Sequence, residues 1–346
     1  MQEALATRRF PTRREVLRIL AVAGVVGGAG GFGLLRRRRS RIVERSRVLM
    51  GTGVHLTLVG DDPAESAAAA DATLDRMADL ESLLSRHRPD SEVSRLNDTG
   101  SIDGSSDALI DVLRLAEDIS RRSGGAFDVT VQPLSTLYRD RVARDGTIPP
   151  GQDIERTLAL VDHRAVRLDG RAVSFERPGM RITLDGVAKG YIVDRGVDVL
   201  KQRGFGDVLV EAGGDLVAAG GRAPDAPWRI GIRGPRSGLA VEARFNARDR
   251  AVATSGDYMQ PFTPDYAHHH ILDPRTGYSS PELASATVVA SDAATADAVA
   301  TAVMVLGTRA GRDLVESIPG AECYLVSKDL AVARTDGFTL ARSLSE

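Results

Sequence analysis

Residues 184–203 read LDGVAKGYIVDRGVDVLKQR, a glycine-rich loop that runs directly into a helical pattern. The helix is predicted from about Gly190 to Arg203, and strands are predicted on both sides of it, from Val166 and near Val208. Glycines let the backbone N–H groups of a loop approach a ligand, and the amino terminus of a helix attracts anions. The stretch therefore predicts a core helix that carries a binding loop at its start.

The rest of the chain places helices and strands around this segment without strict alternation. Three further helices are predicted at Pro63–Leu84, Ser106–Ser123 and Thr295–Leu306, the last ended by Gly307. Further strands are predicted at Met50–Val59, Trp228–Ile232, Ala251–Ala253 and Ala286–Val289, whereas Ser85–Thr99 is predicted to be a loop and Tyr138–Gln152 a surface excursion. This arrangement predicts an α+β (mixed α/β) fold.

Charge is unevenly distributed along the 346 residues. Of 45 basic and 47 acidic residues, 12 arginines and 3 glutamates lie in residues 1–47, which leaves 33 basic and 44 acidic residues in the body. An acidic body argues against nucleic acid as the main partner, because phosphate backbones bind basic surfaces. It suits a hard divalent cation, which prefers oxygen ligands.

The amino terminus is predicted to be an export signal. Arg13-Arg14 form a twin-arginine pattern, and the glycine-rich apolar stretch from Ile19 to Leu35 follows it. The alternative is a plain transmembrane anchor, for which this stretch is short. We therefore assign residues 1–47 to a Tat-type signal or anchor segment, through which the protein would contact the membrane, and residues 48–346 to a single folded domain outside the cytoplasm.

Five glycine-bearing loops carry polar or charged residues. They are Gly124–Asp128, Leu184–Gly190, Glu211–Asp215, Thr254–Asp257 and Asp273–Gly277. One such loop is usually only a turn, but five in one chain favour a site for a phosphate-bearing ligand. None of them is a Walker A motif or a dinucleotide fingerprint.

Several side chains near these loops have two open interpretations. Lys189 either binds a phosphate or is a surface lysine at a helix start. Asp297 and Thr301 share one face of a predicted helix and either hold a hard cation or bond within their own helix. In the triple His268-His269-His270, His268 and His270 share a strand face, and either could act as a general base. The single cysteine, Cys323, is predicted to be a buried, inert thiol in a strand.

Taken in order, these segments resemble the FAD:protein FMN transferases of the ApbE-like family. The resemblance runs over Met50–Thr52, Ser91–Asn97, Gly124–Leu134, Asp185–Asp194, Glu211–Leu216, Ala253–Tyr258, His269–Gly277 and Ala296–Gly307. It implies an ApbE-like fold with a central antiparallel or mixed sheet flanked by helices. It also implies a cleft for FAD between two subdomains.

The resemblance also implies roles for individual residues. FAD, the substrate, would contact Met50, His87, Ala126, Phe127, Asp128, Asp185, Lys189, Ser255, Gly256 and Leu272. Mg²⁺ would bind Asp297, Thr301 and a backbone carbonyl near Gly186, and the catalytic residues would be His270 and Asp297. Two positions depart from the family pattern: Thr183 replaces an aspartate, for which Asp185 is a substitute, and His87 replaces a tyrosine.

The activity implied is Mg²⁺-dependent transfer of FMN from FAD to a Ser or Thr hydroxyl of another protein, with release of AMP. The acceptor would be an exported or membrane-bound redox protein with a short Ser/Thr motif. The alternatives are an FAD pyrophosphatase of the same fold, a non-catalytic flavin-binding protein, and a metal-dependent hydrolase centred on the histidines.

Overall fold

The structure, a computed structural model, describes residues 41–223, 226–236, 238 and 240–341. The helices are α1 Pro63–Leu84, α2 Glu92–Thr99, α3 Asp107–Arg122, α4 Gln132–Asp145, α5 Gly151–Leu158, α6 Ala188–Gln202 and α7 Ala293–Glu316. The strands are β1 Arg41–Leu49, β2 Thr52–Gly60, β3 Ser101–Ile102, β4 Val166–Asp169, β5 Ala172–Phe175, β6 Val208–Ala212, β7 Asp215–Ala219, β8 Trp228–Arg233, β9 Val241–Ala247, β10 Arg250–Gly256, β11 Leu283–Ala290, β12 Glu322–Ser327 and β13 Val332–Arg334.

One large antiparallel sheet organises the molecule. Its strand order is β1-β2-β6-β7-β10-β11-β12-β13. Smaller sheets are formed by β3-β5-β4 and by the hairpin β8-β9. The predicted α+β class and helix-flanked antiparallel sheet are confirmed.

Both faces of the large sheet are covered, each by a different layer. Helices α1, α3, α6 and α7 pack with one face in the main hydrophobic core, and the β8-β9 hairpin packs with the other around Trp228. Strand β11 shows the consequence: Val288 points into the helical core and Val289 into the hairpin core, and all eight of its residues are buried. A strand covered on both faces reads as a continuous apolar run rather than an alternating one.

A third apolar cluster lies apart from these two cores and contradicts one prediction. Tyr138 of α4, which we predicted to begin a surface excursion, is fully buried with Ile154 of α5 and Leu272. Its ring stacks on Phe262, with centroids 5.3 Å apart. The prediction was wrong because tertiary contacts bury the apolar residues of these two largely polar helices.

The predicted loop Ser85–Thr99 was also wrong in its second half. Helix α2 occupies Glu92–Thr99, where Ser91 caps it by accepting a hydrogen bond from the Ser94 N–H at 2.9 Å. Gly100 ends the helix with a φ of 78°. The capping serine followed by Val93 and Leu96 was a local signal for this helix, because both apolar residues are buried on its inner face.

The other predicted helices are confirmed, and Cys323 is buried in β12 as expected. Burial raises the pKa of the Cys323 thiol to about 11, so it is not a thiolate at neutral pH. Gly307 interrupts helicity as predicted, with a φ of 78° and a ψ of −173°, but a second helical segment continues to Glu316.

The amino-terminal strand bears on the predicted segment boundary. Strand β1 pairs with β2 along its whole length, so the boundary at residue 47 falls inside a strand of the large sheet. The predicted signal sequence in residues 1–40 lies outside the described residues. Within the described part of the chain, no helix has the length and apolar character needed to cross a membrane.

Candidate functional site

A cleft of about 800 Å³ opens at one end of the large sheet. Three sheet elements end there: the β1-β2 turn at Met50-Gly51, the β6-β7 turn at Gly213, and the end of β10 at Thr254–Gly256. The start of α6 and the middle of α7 close one side. Leu272, Val131 and Phe262 of the third apolar cluster also line it, so the cleft lies where that cluster meets the main core.

All five glycine-bearing loops contribute to this cleft, although they are far apart in sequence. The predicted site residues that line it are Met50, His87, Ala126, Phe127, Asp128, Asp185, Gly186, Lys189, Ser255, Gly256, His270, Leu272, Asp297 and Thr301. The fold therefore brings together the whole predicted set.

A group of charges lies at the base of the cleft, and its two carboxylates are buried. Lys189, the second residue of α6, makes an ion pair with Asp215, the first residue of β7. Asp215 is 1% exposed, and its Oδ1 accepts a weak hydrogen bond from the Thr254 N–H at 3.4 Å. Asp297 on α7 is also buried, and its Oδ2 accepts a hydrogen bond from the Gly190 N–H at 3.2 Å. Lys189 is therefore not the surface lysine that one interpretation predicted.

The charges in this group do not balance. Burial and the nearby charge of Asp215 raise the pKa of Asp297 well above its usual range, although Lys189 opposes the shift. Burial alone would lower the pKa of Lys189, but the charges of Asp215 and Asp297 outweigh it and raise that pKa. With both carboxylates ionised, the group has one more negative than positive charge, and a bound cation would offset that excess.

Hydroxyl and backbone oxygens surround the remaining space near Asp297. The Thr301 hydroxyl lies 3.3 Å from the Ser255 hydroxyl, which contradicts the interpretation that Thr301 bonds only within its own helix. A Cβ on Gly186 would lie 2.9 Å from Thr301 Oγ1, so the loop backbone approaches this hydroxyl closely. One carboxylate, two hydroxyls and a nearby loop backbone form a hard oxygen donor set, which fits Mg²⁺.

The same donor set does not fit a soft metal. Among the described residues, no group of three or more His, Cys, Asp or Glu side chains could hold a metal ion. A tetrahedral zinc site needs such a group, whereas Mg²⁺ is commonly held by one or two carboxylates together with substrate phosphates.

The close contact between α6 and α7 fixes this arrangement. Gly190 packs against the first turn of α7, where an added Cβ would lie 2.1 Å from the Ala293 carbonyl oxygen. Asp194, one turn further along α6, accepts hydrogen bonds from the Ala293 and Ala294 N–H groups at 2.8 and 2.9 Å. These contacts set the position of Asp297, which lies one turn after Ala293.

His270 reaches the cleft from an irregular segment, residues 257–280. Its backbone N–H donates to the Gln260 carbonyl at 3.1 Å, and burial lowers the pKa of its imidazole to about 4. The neighbouring His269 is fully buried, and its Nε2 lies 3.1 Å from the Ser280 carbonyl oxygen. His270 is therefore a neutral imidazole at the cleft, whereas His269 holds the segment in place.

A second charged group lies at the mouth of the cleft. Arg86 makes hydrogen bonds of 2.8 Å to Asp185, and the exposed His87 is adjacent. Arg139 on α4 also lines the cleft, and within the described residues it makes no ion pair. Burial, followed by the charge of Arg86, lowers the pKa of Arg139. Arg86 thus positions the carboxylate of Asp185 beside the cleft.

Asp128 occupies the cleft in a different manner. Its Oδ1 accepts a hydrogen bond from the Thr130 N–H at 2.7 Å, and its Oδ2 accepts one from the His163 N–H at 2.8 Å. Both carboxylate oxygens are thus used to shape the turn that presents Ala126 and Phe127.

Sequence reasoning missed three charged residues of the site: Asp215, Arg86 and Arg139. Asp215 was visible as the last residue of the Glu211–Asp215 loop, but nothing local indicated that it would pair with Lys189. The two arginines carried no signal among 42 arginines in the chain.

Comparison with known proteins identifies the family. A sequence model described as the ApbE family matches residues 50–325. The chain therefore belongs to the ApbE family.

Several relatives carry a more specific name. A FAD:protein FMN transferase of Vibrio cholerae is 30% identical over 282 residues, which cover 80% of this chain and 84% of that protein. A FAD:protein FMN transferase of Treponema pallidum is 29% identical and covers 90% of both chains. Among solved structures, the ApbE protein of Thermotoga maritima superposes with a TM-score of 0.77 at 30% identity, covering 86% of this chain and 97% of that one.

Proposed function

We propose that this protein transfers FMN from FAD to a Ser or Thr hydroxyl of an acceptor protein and releases AMP. The observation that carries the proposal is the ion pair between Lys189 and the buried Asp215, with the buried Asp297 nearby, at a cleft large enough for a dinucleotide. The relatives named FAD:protein FMN transferases support the same activity.

The chain's own residues bind and orient the substrate. Lys189 offers a point charge to the pyrophosphate, and the loop backbone around Gly186 lets that group approach closely. Phe127 and Leu272 supply apolar surface for the flavin or adenine rings. Positioning and charge stabilisation are the main contributions that a protein makes to phosphoryl transfer.

Asp297, Thr301 and the loop backbone near Gly186 would hold Mg²⁺. When bound, the ion would neutralise charge on the pyrophosphate. Burial and the charge of Asp215 raise the pKa of Asp297. A cation beside Asp297 would lower that pKa again and favour the carboxylate form, which is the form that binds a metal.

His270, which lines the cleft, would accept the proton of the attacking hydroxyl. Its lowered pKa keeps the imidazole neutral, so it has a free lone pair at physiological pH. The hydroxyl oxygen attacks the FMN phosphorus, a new P–O bond forms, and the P–O bond to AMP breaks. The proton leaves the hydroxyl for the imidazole of His270.

The twin-arginine pattern supports a location outside the cytoplasm. We expect the acceptor to be a redox protein in the same compartment, bearing a short Ser/Thr motif. The folded domain would remain close to the membrane if the predicted anchor segment, residues 1–47, is retained.

The test is to incubate the purified protein with FAD, Mg²⁺ and a panel of candidate acceptor domains. Intact mass spectrometry of each acceptor, together with AMP quantification, reads both products. One FMN added to an acceptor only when Mg²⁺ is present is the expected result. AMP release without any modified acceptor would favour the pyrophosphatase, and intact bound FAD would favour a non-catalytic flavin-binding protein.

A further inference from the structure

An exposed apolar side chain lies at the rim of the cleft. Met259 is 58% exposed and also lines the cleft. Of the large hydrophobic side chains that are exposed in the described part of the chain, it is the one that reaches this site. An isolated exposed methionine is ordinary, but an adaptable apolar side chain beside a reaction centre suits contact with a protein partner.

Met259 is adjacent to His270 across a short ribbon. The His270 N–H donates to the carbonyl of Gln260, the residue after Met259, at 3.1 Å. Pro261 and His269 form the next antiparallel bridge, and the Phe262 N–H donates to the His268 carbonyl at 2.7 Å. Residues opposite each other in such a ribbon are about 5 Å apart, so Met259 lies roughly 7 Å or less from the backbone of His270.

The turn that carries Met259 is held in place from several directions. The fully buried Asp257 makes two hydrogen bonds of 2.8 Å with the Arg236 guanidinium. That guanidinium lies 4.0 Å from the centroid of the Tyr266 ring, and Lys328 Nζ donates to the Tyr266 carbonyl at 2.8 Å. These contacts anchor the chain two residues before Met259 and seven residues after it, so Met259 is presented in a defined place.

We propose that Met259 binds the acceptor segment that carries the target hydroxyl, and that this segment has an apolar side chain within two residues of the hydroxyl. The inference rests on the proposed function. The hydroxyl must come within about 3 Å of His270 for proton transfer. An extended peptide rises about 3.3 Å per residue, so two residues beyond the hydroxyl span about 7 Å and reach Met259.

The test uses twelve-residue peptides with a central threonine, whose flanking positions are all leucine-alanine, all aspartate or all lysine. FMN transfer to each peptide is measured with the wild-type protein, Met259→Glu, Met259→Leu and Leu330→Glu. Leu330 is a matched control, because it is 52% exposed but does not line the cleft. Fluorescence anisotropy of labelled peptides with the FAD-loaded proteins measures binding independently of transfer.

The wild type should prefer the apolar peptide. Met259→Glu should lower kcat/KM for that peptide at least tenfold, mainly through KM, and should raise it severalfold for the lysine peptide. Met259→Leu should restore the apolar preference, and Leu330→Glu should behave as wild type.

Unchanged peptide preference in Met259→Glu would overturn the proposal, and so would a tenfold loss of FAD affinity, which would place Met259 in the FAD site instead. If the wild type binds the peptides but modifies none, the proposed transferase activity fails. In that case the anisotropy measurements, which compare peptide binding by the wild type and Met259→Glu, decide the role of Met259 independently of transfer.

Discussion

Replacing Gly190 with alanine tests whether the contact between α6 and α7 positions the reaction centre. The added Cβ would lie 2.1 Å from the Ala293 carbonyl oxygen, 2.4 Å from its carbon and 2.8 Å from the Ala294 nitrogen. Ordinary contacts begin near 3.4 Å, so the helices must separate by more than 1 Å. All three obstructing atoms belong to the backbone and cannot rotate away.

The magnitude follows from two opposing effects. Alanine in a helix is favoured over glycine by about 1 kcal/mol, whereas overpacking typically destabilises by about 1–3 kcal/mol. Because the obstructing atoms belong to the backbone, we expect an overpacking cost at the upper end of this range. The net loss in the free energy of unfolding should then be about 2 kcal/mol. The shift would also move Asp297 away from the Gly190 N–H, and a misplacement of about 1 Å can lower a rate by roughly 100-fold.

Gly196→Ala on the same helix is the matched control. Its Cβ would meet Met77 Sδ at 3.0 Å and Met77 Cγ at 3.3 Å, and a methionine side chain can move. We expect its stability to stay within about 1 kcal/mol of wild type. Urea denaturation measures stability, and FMN transfer at saturating FAD measures the rate. If Gly190→Ala matched Gly196→Ala in both measurements, the helix contact would not control the site.

Three further predictions concern individual charges. Asp297→Asn should lower FMN transfer at least 100-fold. The apo variant should be as stable as the wild type or more so in thermal melts, because burial disfavours the native carboxylate. A variant that still transfers FMN would remove Asp297 from the mechanism. Burial raises the pKa of Asp194 to about 7, so between about pH 4 and 7 the folded state holds a proton that the unfolded state has lost. As the pH rises across that window, the free energy of unfolding falls by at most roughly 4 kcal/mol. In urea titrations, Asp194→Asn should be less stable than the wild type, and this difference in the free energy of unfolding should shrink between pH 5 and 8. A difference that stays constant with pH would contradict the raised pKa of Asp194. Arg236→Met strands the buried Asp257 carboxylate and should destabilise the protein by about 3–5 kcal/mol in the same assay. Arg164→Met removes an exposed guanidinium from Asp162, which keeps its ion pair with Arg177, and should change stability by less than about 1 kcal/mol.

Local sequence signals were sufficient to predict an element whose bounds depend on its own residues. Helix α1 has the predicted bounds, with Pro63 at its start and Asp62 as its cap. Gly307 breaks α7 because its backbone conformation is accessible only to glycine. Such signals failed at Tyr138, because the partners that bury it, Phe262 and Leu272, lie more than a hundred residues away.

The sequence by itself determined the α+β class, the loops that form the cleft and, through resemblance, the residues that line it. Only the tertiary structure decided how those residues pair. Lys189 lies near the start of α6 and Asp215 at the start of β7, with the rest of the helix and strand β6 between them. They meet because α6 packs on the sheet with its first turn near the end at which β7 begins. Asp297 joins them because Gly190 leaves room for α7. Ion pairing and burial depend on distances between elements, and a pattern along one chain does not contain those distances.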